Sequence, residues 1–262
     1  MKCIVITGST RGIGYCMAQE FLKHGCSVTI SGRSEKSRES AMKAFKSYPG
    51  KVLYVPCNVT SKAQLENLWD ESVKKWGGVD CWINNAGQNS PHAFVHETGT
   101  AYVDAVIDTN IKGMIFGSQV AAKNMVAQGS GQIWNMEGLG SNNMIMEKTI
   151  LYGTTKHALT YFTKGLAKEL AATPVLAGRL SPGMMLTDFI TKTPDGEKSP
   201  VTDEKQFQKV FNILADKPET VAAFFVPRIL SNTKNNAHIV WLTTAKAAGR
   251  FMTSGLVKRK LL

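Results

Sequence analysis

Short apolar runs alternate with longer stretches of helical period along most of the chain. Several runs are apolar without alternation, which is typical of strands covered by helices on both faces. The runs that predict strands are residues 3–6, 27–30, 51–55, 81–83, 132–134, 175–180 and 238–242. The stretches that predict helices are residues 12–24, 35–47, 62–76, 101–127, 151–172 and 218–230. This pattern predicts an α/β fold, with residues 1–262 in one doubly wound domain around a parallel sheet of about seven strands.

The regular alternation weakens after Pro182. From there to about Lys205 the chain is rich in threonine, proline, glycine and charge, a composition that predicts a mobile loop. We therefore interpret residues 184–217 as a substrate loop region and residues 245–262 as a basic C-terminal tail.

Composition sets the broad class of protein. Of the 262 residues, 43% are hydrophobic and 19% are charged, which is typical of a globular chain and argues against disorder. The longest uninterrupted apolar run, residues 221–226, is far shorter than the ~18 residues of a membrane-spanning helix. Because a glycine motif already begins at Thr7, we expect no secretory or transit segment.

The cysteines indicate neither a metal site nor a disulfide framework. They are odd in number and none forms a C-x-x-C pair, so we predict free thiols, a reducing cytoplasm and no metal ion. The five cysteines are Cys3, Cys16, Cys26, Cys57 and Cys81.

Basic charge is concentrated at the carboxyl end. The formal net charge is +11, and no acidic residue follows Glu219. The basic residues beyond it are Arg228, Lys234, Lys246, Arg250, Lys258, Arg259 and Lys260, so this segment carries +7. Such a segment attracts anionic partners. Without an aromatic-interleaved recognition motif, we expect a solvated basic face and no nucleic-acid partner, with weak contact to an anionic membrane as the open alternative.

A glycine-rich turn joins the first predicted strand to the first predicted helix. It reads Thr7-Gly8-Ser9-Thr10-Arg11-Gly12-Ile13-Gly14. Glycines in this context let the backbone turn sharply and approach a pyrophosphate, which is then held at the helix N-terminus. The alternative is a tight turn that binds nothing.

The end of the second predicted strand bears on the choice of cofactor. An NAD enzyme usually has a carboxylate there for the ribose hydroxyls, whereas this chain reads Ser31-Gly32-Arg33-Ser34. The Arg33 guanidinium can form a bidentate contact with a 2′-phosphate, and Arg11 could reach the same group. NADP(H) is therefore predicted over NAD(H), against the alternative of an ordinary surface arginine.

Tyr152 and Lys156 are four residues apart at the start of a predicted helix, so their side chains share one face. A tyrosine is a poor acid–base group near neutral pH unless a cation stabilises its anion, and an ammonium one turn away would do so. Alone, Y-x-x-x-K is a frequent coincidence.

Three further motifs accompany this pair. They are Asn84-Asn85-Ala86-Gly87, Asn110 within residues 109–113, and Pro182-Gly183 after the sixth strand. With the glycine turn, their order and spacing resemble the short-chain dehydrogenase/reductase family over essentially the whole chain. The resemblance implies a Rossmann fold and NADP(H)-dependent carbonyl–alcohol interconversion on a small-molecule substrate. It also implies a homotetramer or homodimer, because the family buries helices corresponding to residues 101–127 and 151–172 between subunits.

The resemblance also implies roles for individual residues. Tyr152 would be the general acid/base, Lys156 would hold the ribose and depress the tyrosine pKa, and Asn110 would anchor a relay water. The residues expected at the cofactor are Gly8, Ser9, Thr10, Arg11, Gly12, Ile13, Gly14, Arg33, Ser34, Asn58, Val59, Asn85, Ala86, Gly87, Tyr152, Lys156, Pro182, Gly183, Met185 and Thr187. Asn58 stands where the family usually has aspartate.

One position departs from the family. A substrate-orienting serine usually lies about thirteen residues before the tyrosine, and Glu137-Gly138 replaces the usual serine pair. We assign the hydroxyl role to Ser141, the nearest alternative. The other possibilities are that Ser141 only caps a loop, that a protonated Glu137 serves, or that a backbone N–H or water does.

The departure narrows the resemblance to the chlorophyll b reductase branch, whose members reduce a formyl group on a chlorin ring with NADPH. The feature that resembles this branch is the run Asn135-Met136-Glu137-Gly138-Leu139-Gly140-Ser141. Residues 88–97 and 184–205 would line a pocket for a bulky apolar ligand. Alternatives are a hydroxysteroid dehydrogenase, a 3-oxoacyl or polyketide-type ketoreductase, and, in another class, a non-catalytic NADP-binding sensor or a peripheral membrane protein.

Overall fold

The computed structural model describes residues 1–257 and 259–262. Its strands form one seven-stranded sheet in the order β3-β2-β1-β4-β5-β6-β7, and every neighbouring pair is parallel. The strands are β1 Cys3–Ile6, β2 Ser27–Gly32, β3 Val52–Pro56, β4 Cys81–Asn84, β5 Gly131–Met136, β6 Val175–Ser181 and β7 Ala237–Val240. The predicted doubly wound parallel sheet is confirmed.

Helices cover both faces of this sheet. They are α1 Gly12–Lys23, α2 Glu35–Ala44, α3 Lys62–Trp76, α4 Thr100–Ile107, α5 Gly113–Gln128, α6 Ile150–Glu169, α7 Asp188–Thr191, α8 Lys205–Leu214, α9 Pro218–Leu230 and α10 Thr244–Thr253. None of those described is both long and apolar enough to cross a membrane.

Two hydrophobic cores lie on opposite sides of the sheet. Helices α1, α2 and α9 cover one face, where Phe21 and Phe225 are fully buried. Helices α3, α5 and α6 cover the other, against Trp82. In β1, Ile4 faces the first core and Val5 the second, so the strand is apolar without alternation.

The structure departs from the predicted elements in two places. The helix predicted over residues 101–127 is interrupted by a π-helical turn, Asp108–Lys112, between α4 and α5. Such turns occur often at functional sites, and this one contains the buried Asn110. The second difference is that α7 and α8 lie within the predicted substrate loop and α10 within the predicted tail.

Because all strands are parallel, their carboxyl ends meet at one edge of the sheet. The strand order reverses between β1 and β4, and ligands of such folds bind beside the carboxyl ends at that point. This edge therefore carries the candidate site.

Candidate active site

The structure brings the predicted site residues together along this edge. Residues 7–14 follow β1, 33–34 follow β2, 58–59 follow β3, 85–87 follow β4, 137–141 follow β5 and 182–187 follow β6. Tyr152 and Lys156 lie at the start of α6, and Asn110 lies in the π-helical turn.

The glycine turn presents backbone rather than side chains. Gly8 and Gly12 have φ values of 61° and 59°, which favour glycine. Ser9 Oγ donates to the Ile6 carbonyl at 2.6 Å and accepts from Ser31 N at 3.0 Å, so the turn is tied to β1 and β2. Arg11 precedes α1 without a capping side-chain hydrogen bond. An uncapped helix N-terminus behind a glycine turn fits a dinucleotide pyrophosphate.

Asn85 fastens the segment after β4 to this turn. Its Nδ2 donates to the carbonyls of Thr7 and Gly8, both at 2.9 Å. Thr7 Oγ1 accepts from the backbone N–H groups of Asn85 and Ala86 at 3.0 and 3.1 Å. A Cβ built on Gly14 would lie 2.4 Å from Asn85 Nδ2, so the helix start and this segment approach as closely as a glycine allows. The closeness fixes the turn's shape.

The residues expected near the 2′-phosphate and adenine lie farther along the edge. Arg33 and Ser34 are exposed after β2, and Ser34 caps α2 by accepting from Ser37 N at 3.2 Å. Among the described residues, Arg33 forms no ion pair, whereas Arg11 lies 3.7 Å from the Asp188 carboxylate. The Arg33 charge is therefore available to an anion.

Asn58 and Val59 follow β3, where the adenine is expected. Asn58 N donates to Gln64 Oε1 at 2.7 Å, and Val59 is buried. A Cβ built on Gly113 would lie 2.7 Å from Val59 Cγ2, so the segment packs closely against α5.

Tyr152 and Lys156 share one face of α6. The Lys156 Nζ lies 5.7 Å from the centroid of the Tyr152 ring and donates to the Met136 carbonyl at 2.9 Å. Burial lowers the pKa of Lys156 to about 8, partly opposed by the Glu137 charge. Burial raises the pKa of Tyr152, so its hydroxyl is protonated and gives up a proton readily only beside a cation.

Asn110 connects α6 with the segment after β4. Its Oδ1 accepts from Gln88 N at 2.7 Å, and its Nδ2 donates to Gln88 O at 2.9 Å and to Thr155 Oγ1 at 3.1 Å. Gly87 lies alongside, where a built Cβ would be 3.4 Å from Asn110 Oδ1. Asn110 therefore holds the site together, and its predicted relay water stays a prediction.

Gly138 lies directly against the tyrosine hydroxyl. A Cβ built there would be 2.4 Å from Tyr152 Oη, so a side chain at this position would displace the tyrosine. Ser141 Oγ accepts from Gly138 N at 3.2 Å and donates to the Lys156 carbonyl at 3.1 Å. Both contacts are with backbone and tie the turn after β5 to α6. These contacts favour the alternative in which Ser141 caps a loop, and the substrate-orienting role stays a prediction that substitution of Ser141 can test.

Glu137 is 3% exposed and ionised. Burial alone would raise its pKa, but hydrogen bonds from His238, Ser181 and Thr160, together with an electrostatic contribution from His238, lower it to about 2. An ionised carboxylate only accepts hydrogen bonds, so the alternative in which Glu137 donates one as a carboxylic acid loses its basis.

The segment after β6 reaches back to the glycine turn. Gly183 has a φ of 72° and packs against Leu242, and a Cβ built on Gly12 would lie 3.9 Å from Thr187 Cγ2. Pro182 is buried and Met185 is half-buried. Thr187 is therefore close to where the cofactor would bind.

Asp216 is a site-supporting residue that sequence reasoning missed. Its backbone pairs with the segment after β6, as Asp216 N donates to Met184 O at 3.0 Å. Its buried carboxylate binds Trp241 Nε1 at 2.6 Å, Arg250 at 2.8 Å and Arg259 at 2.6 Å. The available signal was a lone acid between α8 and α9, shortly before the segment beyond Glu219 in which every charged residue is basic.

The fold and site define an oxidoreductase of the Rossmann class that uses a nicotinamide cofactor. The family model for short chain dehydrogenase matches residues 2–198. The chain belongs to the short-chain dehydrogenase/reductase family, in its chlorophyll b reductase-like branch. The predicted family, branch and enzyme class are therefore confirmed. Within the described residues, no cluster of three potential metal ligands occurs.

Two curated relatives and one solved structure illustrate this membership. The chain is 34% identical over 255 residues to chlorophyll(ide) b reductase NOL, chloroplastic, of Arabidopsis thaliana, covering 93% of this chain and 71% of that one. It is 31% identical to the probable chlorophyll(ide) b reductase NYC1, chloroplastic, of the same plant, covering 97% of this chain but 53% of that one. A structure described as ElxO with NADP bound is 29% identical, with a TM-score of 0.80 and coverages of 94% and 99%.

Proposed function

We propose that the protein is an NADPH-dependent carbonyl reductase for a bulky apolar substrate, and that Tyr152 is its general acid. The observation that carries the proposal is the arrangement at α6: a buried ammonium, Lys156, lies beside the Tyr152 ring and is held by the Met136 carbonyl. When bound, NADPH supplies the hydride, which no protein side chain can supply.

The chain's own residues manage the proton and the geometry. Tyr152 donates its hydroxyl proton to the substrate oxygen, and the Lys156 ammonium stabilises the tyrosinate that develops. Asn110 keeps the segment around Gln88 against α6 through hydrogen bonds to both backbone groups of that residue. The reverse reaction, alcohol oxidation, uses the same groups with Tyr152 as the base.

The exposed Arg33, aided by Arg11, supports NADPH rather than NADH. No carboxylate stands at the end of β2 itself, and the nearby Glu35 carboxylate is paired with Arg38. Arg11 would exchange its 3.7 Å contact with Asp188 for the phosphate. The glycine turn and Asn85 would hold the pyrophosphate and adenosine ribose, and Thr187 the nicotinamide amide.

Apolar side chains around the site support a bulky apolar substrate. The Phe189 ring packs edge-on against the Tyr152 ring, with centroids 5.4 Å apart. Lys148 Nζ lies 5.3 Å from the centroid of Phe94, which brings the loops before α4 and α6 together. The exposed apolar residues of these loops and of the first position of α6 are Phe94, Val95, Met144, Ile145, Met146 and Ile150. Exposed apolar side chains favour a bulky apolar ligand, so a formyl-bearing chlorin is the first candidate, followed by steroids and polyketides.

The direct test follows NADPH oxidation at 340 nm with a panel of chlorin aldehydes, ketosteroids and 3-oxoacyl or polyketide ketones. We expect turnover with at least one bulky substrate and its loss in Tyr152→Phe, which removes only the proton donor. NADPH affinity should stay nearly unchanged in that variant. A Tyr152→Phe enzyme that keeps most of its activity would contradict the mechanism. Tight NADPH binding without turnover on any substrate would favour the non-catalytic sensor.

A second proposal is a weak contact with an anionic membrane, and the basic tail carries the surface for it. The exposed apolar residues there are Phe251, Met252, Leu256 and Val257, and Lys260 is exposed beside them. Arg250 and Arg259 instead bind Asp216, and Lys258 lies outside the described residues. Co-sedimentation with phosphatidylglycerol vesicles, with phosphatidylcholine vesicles and DNA as controls, tests this contact. It should be weak, lost at high salt and lost in Leu256→Asp.

The exposed face of α6 bears on the assembly of the protein. Members of this family generally form oligomers, and we propose a homotetramer or homodimer buried on α5 and α6. On α6, Tyr161 is 81% exposed in a single chain, as an interface residue would be. Light scattering of wild type and Tyr161→Asp would test this; an oligomer unaffected by the substitution would exclude this face. A cytoplasmic location stays a prediction.

A further inference from the structure

Glu137 is an unusual residue for its place in the fold. It immediately follows β5, where the family usually has a serine, and precedes Gly138, which lies against the Tyr152 hydroxyl. Only 3% of Glu137 is exposed. Burying a carboxylate is costly unless it is paired and hydrogen-bonded, so its partners need explanation.

The carboxylate of Glu137 is bound by side chains from three other elements. Thr160 of α6 donates to Oε1 at 2.9 Å, and Arg179 of β6 lies 3.3 Å from the same oxygen. His238 of β7 lies 2.8 Å from Oε2, which Ser181 of β6 also contacts. One side chain therefore joins the end of β5 to α6, β6 and β7.

This cluster adjoins the catalytic lysine. The Lys156 ammonium donates to the carbonyl of Met136, the residue directly before Glu137. Thr160, one turn after Lys156 on α6, holds the Glu137 carboxylate. Glu137 N donates to Leu180 O at 2.8 Å, which fixes the same stretch of backbone to β6. Movement of Glu137 would therefore move the acceptor of the Lys156 ammonium.

We propose that Glu137 is a positioning residue for Lys156: its carboxylate clamps the end of β5 against α6 and places a negative charge near the buried ammonium. The inference rests on the proposed function, in which Lys156 stabilises the developing tyrosinate. It also accounts for the departure from the family, because an ionised carboxylate at 137 acts through the lysine and not on the substrate.

The negative charge of Glu137 distinguishes a role toward Lys156 from a purely structural link between β5, α6, β6 and β7. Among the described titratable groups, Tyr152 lies beside Lys156 on its own helix and Glu137 acts on it from the end of β5, while Arg179 and His238 approach Glu137 from the sheet. Burial lowers the pKa of Lys156 and the Glu137 charge raises it. Without that charge the lysine loses its proton at a lower pH. A neutral lysine no longer stabilises the tyrosinate, so carbonyl reduction should then fail at a lower pH.

The test is the pH profile of kcat in Glu137→Gln, which keeps the size and much of the hydrogen-bonding capacity of the side chain but removes its charge. We expect the alkaline limb of carbonyl reduction to move down by about one pH unit or more, with NADPH affinity at pH 6 nearly unchanged. A uniform decrease in kcat at every pH, or an unchanged profile, would overturn the proposal.

Two further variants separate charge from structure. Thr160→Val removes one hydrogen bond to the carboxylate but leaves its charge, so its alkaline limb should stay at the wild-type pH. If Glu137→Gln does not fold because Arg179 is left buried without a counter-charge, Glu137→Gln/Arg179→Met removes both charges and should restore folding. The limb should still move down in that double variant, and a wild-type limb there would overturn the proposal.

The outcomes also distinguish this inference from the proposed function. If Tyr152→Phe and Lys156→Ala abolish turnover but Glu137→Gln leaves the pH profile unchanged, only the role of Glu137 is wrong. If Lys156→Ala remains active, the proposed mechanism fails first, and the role of Glu137 fails with it.

Discussion

The two ends of the candidate site are built by different means. The cofactor end, around the glycine turn, consists mainly of backbone: Gly8 and Gly12 with positive φ, and the uncapped start of α1. The catalytic end, where β5 meets α6, depends on buried charged side chains: Lys156, which is held by the Met136 carbonyl, and Glu137, which is held by other polar side chains. No acidic residue lies within the glycine turn itself.

This contrast predicts different sensitivities. A site made of backbone depends on shape, so an added methyl group should harm it more than a change of pH. A site made of buried ionisable groups depends on charge, since their pKa values shift and an unpaired buried charge is costly. Variants at each end should therefore fail in distinguishable ways.

Gly14→Ala should have the largest effect at the cofactor end. The new Cβ would lie 2.4 Å from Asn85 Nδ2 and 2.7 Å from the Gly8 carbonyl, and Asn85 is already held by two hydrogen bonds. We expect NADPH to bind about 10- to 100-fold more weakly, as overpacking of 1–3 kcal/mol implies. Fluorescence titration of NADPH measures this.

Gly165→Ala is the matched control for that variant. Gly165 lies on α6 with no atom near a built Cβ, so alanine there should leave NADPH affinity unchanged and slightly favour the helix. Wild-type affinity in Gly14→Ala would contradict the view that the cofactor end depends on shape.

Arg33→Asp tests the one part of the cofactor end that we attribute to charge. It should weaken NADPH binding by at least about tenfold, through lost attraction and new repulsion of a 2′-phosphate, without weakening NADH binding, because a carboxylate there can accept hydrogen bonds from the ribose hydroxyls. Arg228→Asp, at an exposed arginine near the end of α9, should change neither affinity. Tighter binding of NADH than NADPH by the wild type would refute the cofactor assignment.

Most of the sheet could be predicted from the sequence because its strands are short, apolar and separated by helical period. Helix α3 matches its predicted residues 62–76 at both ends. Helices α8 and α10 were missed because each is only ten residues long and α8 follows a loop-like stretch of sequence, while tertiary contacts stabilise both. Arg250 of α10, for example, donates to the Leu214 carbonyl at the end of α8.

The candidate site also has one part that the sequence predicts and another that only the fold brings together. The glycine turn and the pair Tyr152 and Lys156 could be predicted because each is a short sequence motif whose spacing indicates its chemistry. The Glu137 cluster could not be, because Arg179, Ser181 and His238 are distant in sequence and only the pairing of β5, β6 and β7 brings them together. Residues 179 and 238 lie opposite each other in that register.

Ser141→Ala tests whether the turn after β5 serves the substrate or the backbone. Its hydroxyl is occupied by Gly138 N and the Lys156 carbonyl, so we expect kcat to fall less than about threefold and stability to fall by about 1 kcal/mol. Thr154→Ala, on the exposed side of α6, is the control for loss of a hydroxyl. A decrease of one to two orders of magnitude in kcat at constant NADPH affinity would instead assign Ser141 the substrate-orienting role.

The smallest predicted effect is a gain in stability at the catalytic end. Burial holds the pKa of Lys156 at about 8, against about 10.5 in an unfolded chain, which corresponds to about 3 kcal/mol of cost while the lysine is charged. Between pH 8 and 10.5 the unfolded chain binds the proton and the folded one does not. The contribution of Lys156 to the free energy of unfolding therefore rises with pH in that window and is lowest below pH 8.

Lys156→Met removes this cost, although it leaves the Met136 carbonyl without its ammonium donor. We expect an inactive protein whose Tm at pH 7 is higher by about 2–4 °C, since part of the 3 kcal/mol is lost with that hydrogen bond. The difference should shrink by more than half at pH 9.5, where the folded lysine is already neutral. Scanning calorimetry of both proteins at the two pH values measures it. A lower Tm for the variant at pH 7 would mean that the ammonium stabilises the fold, so that function and stability do not conflict at this residue.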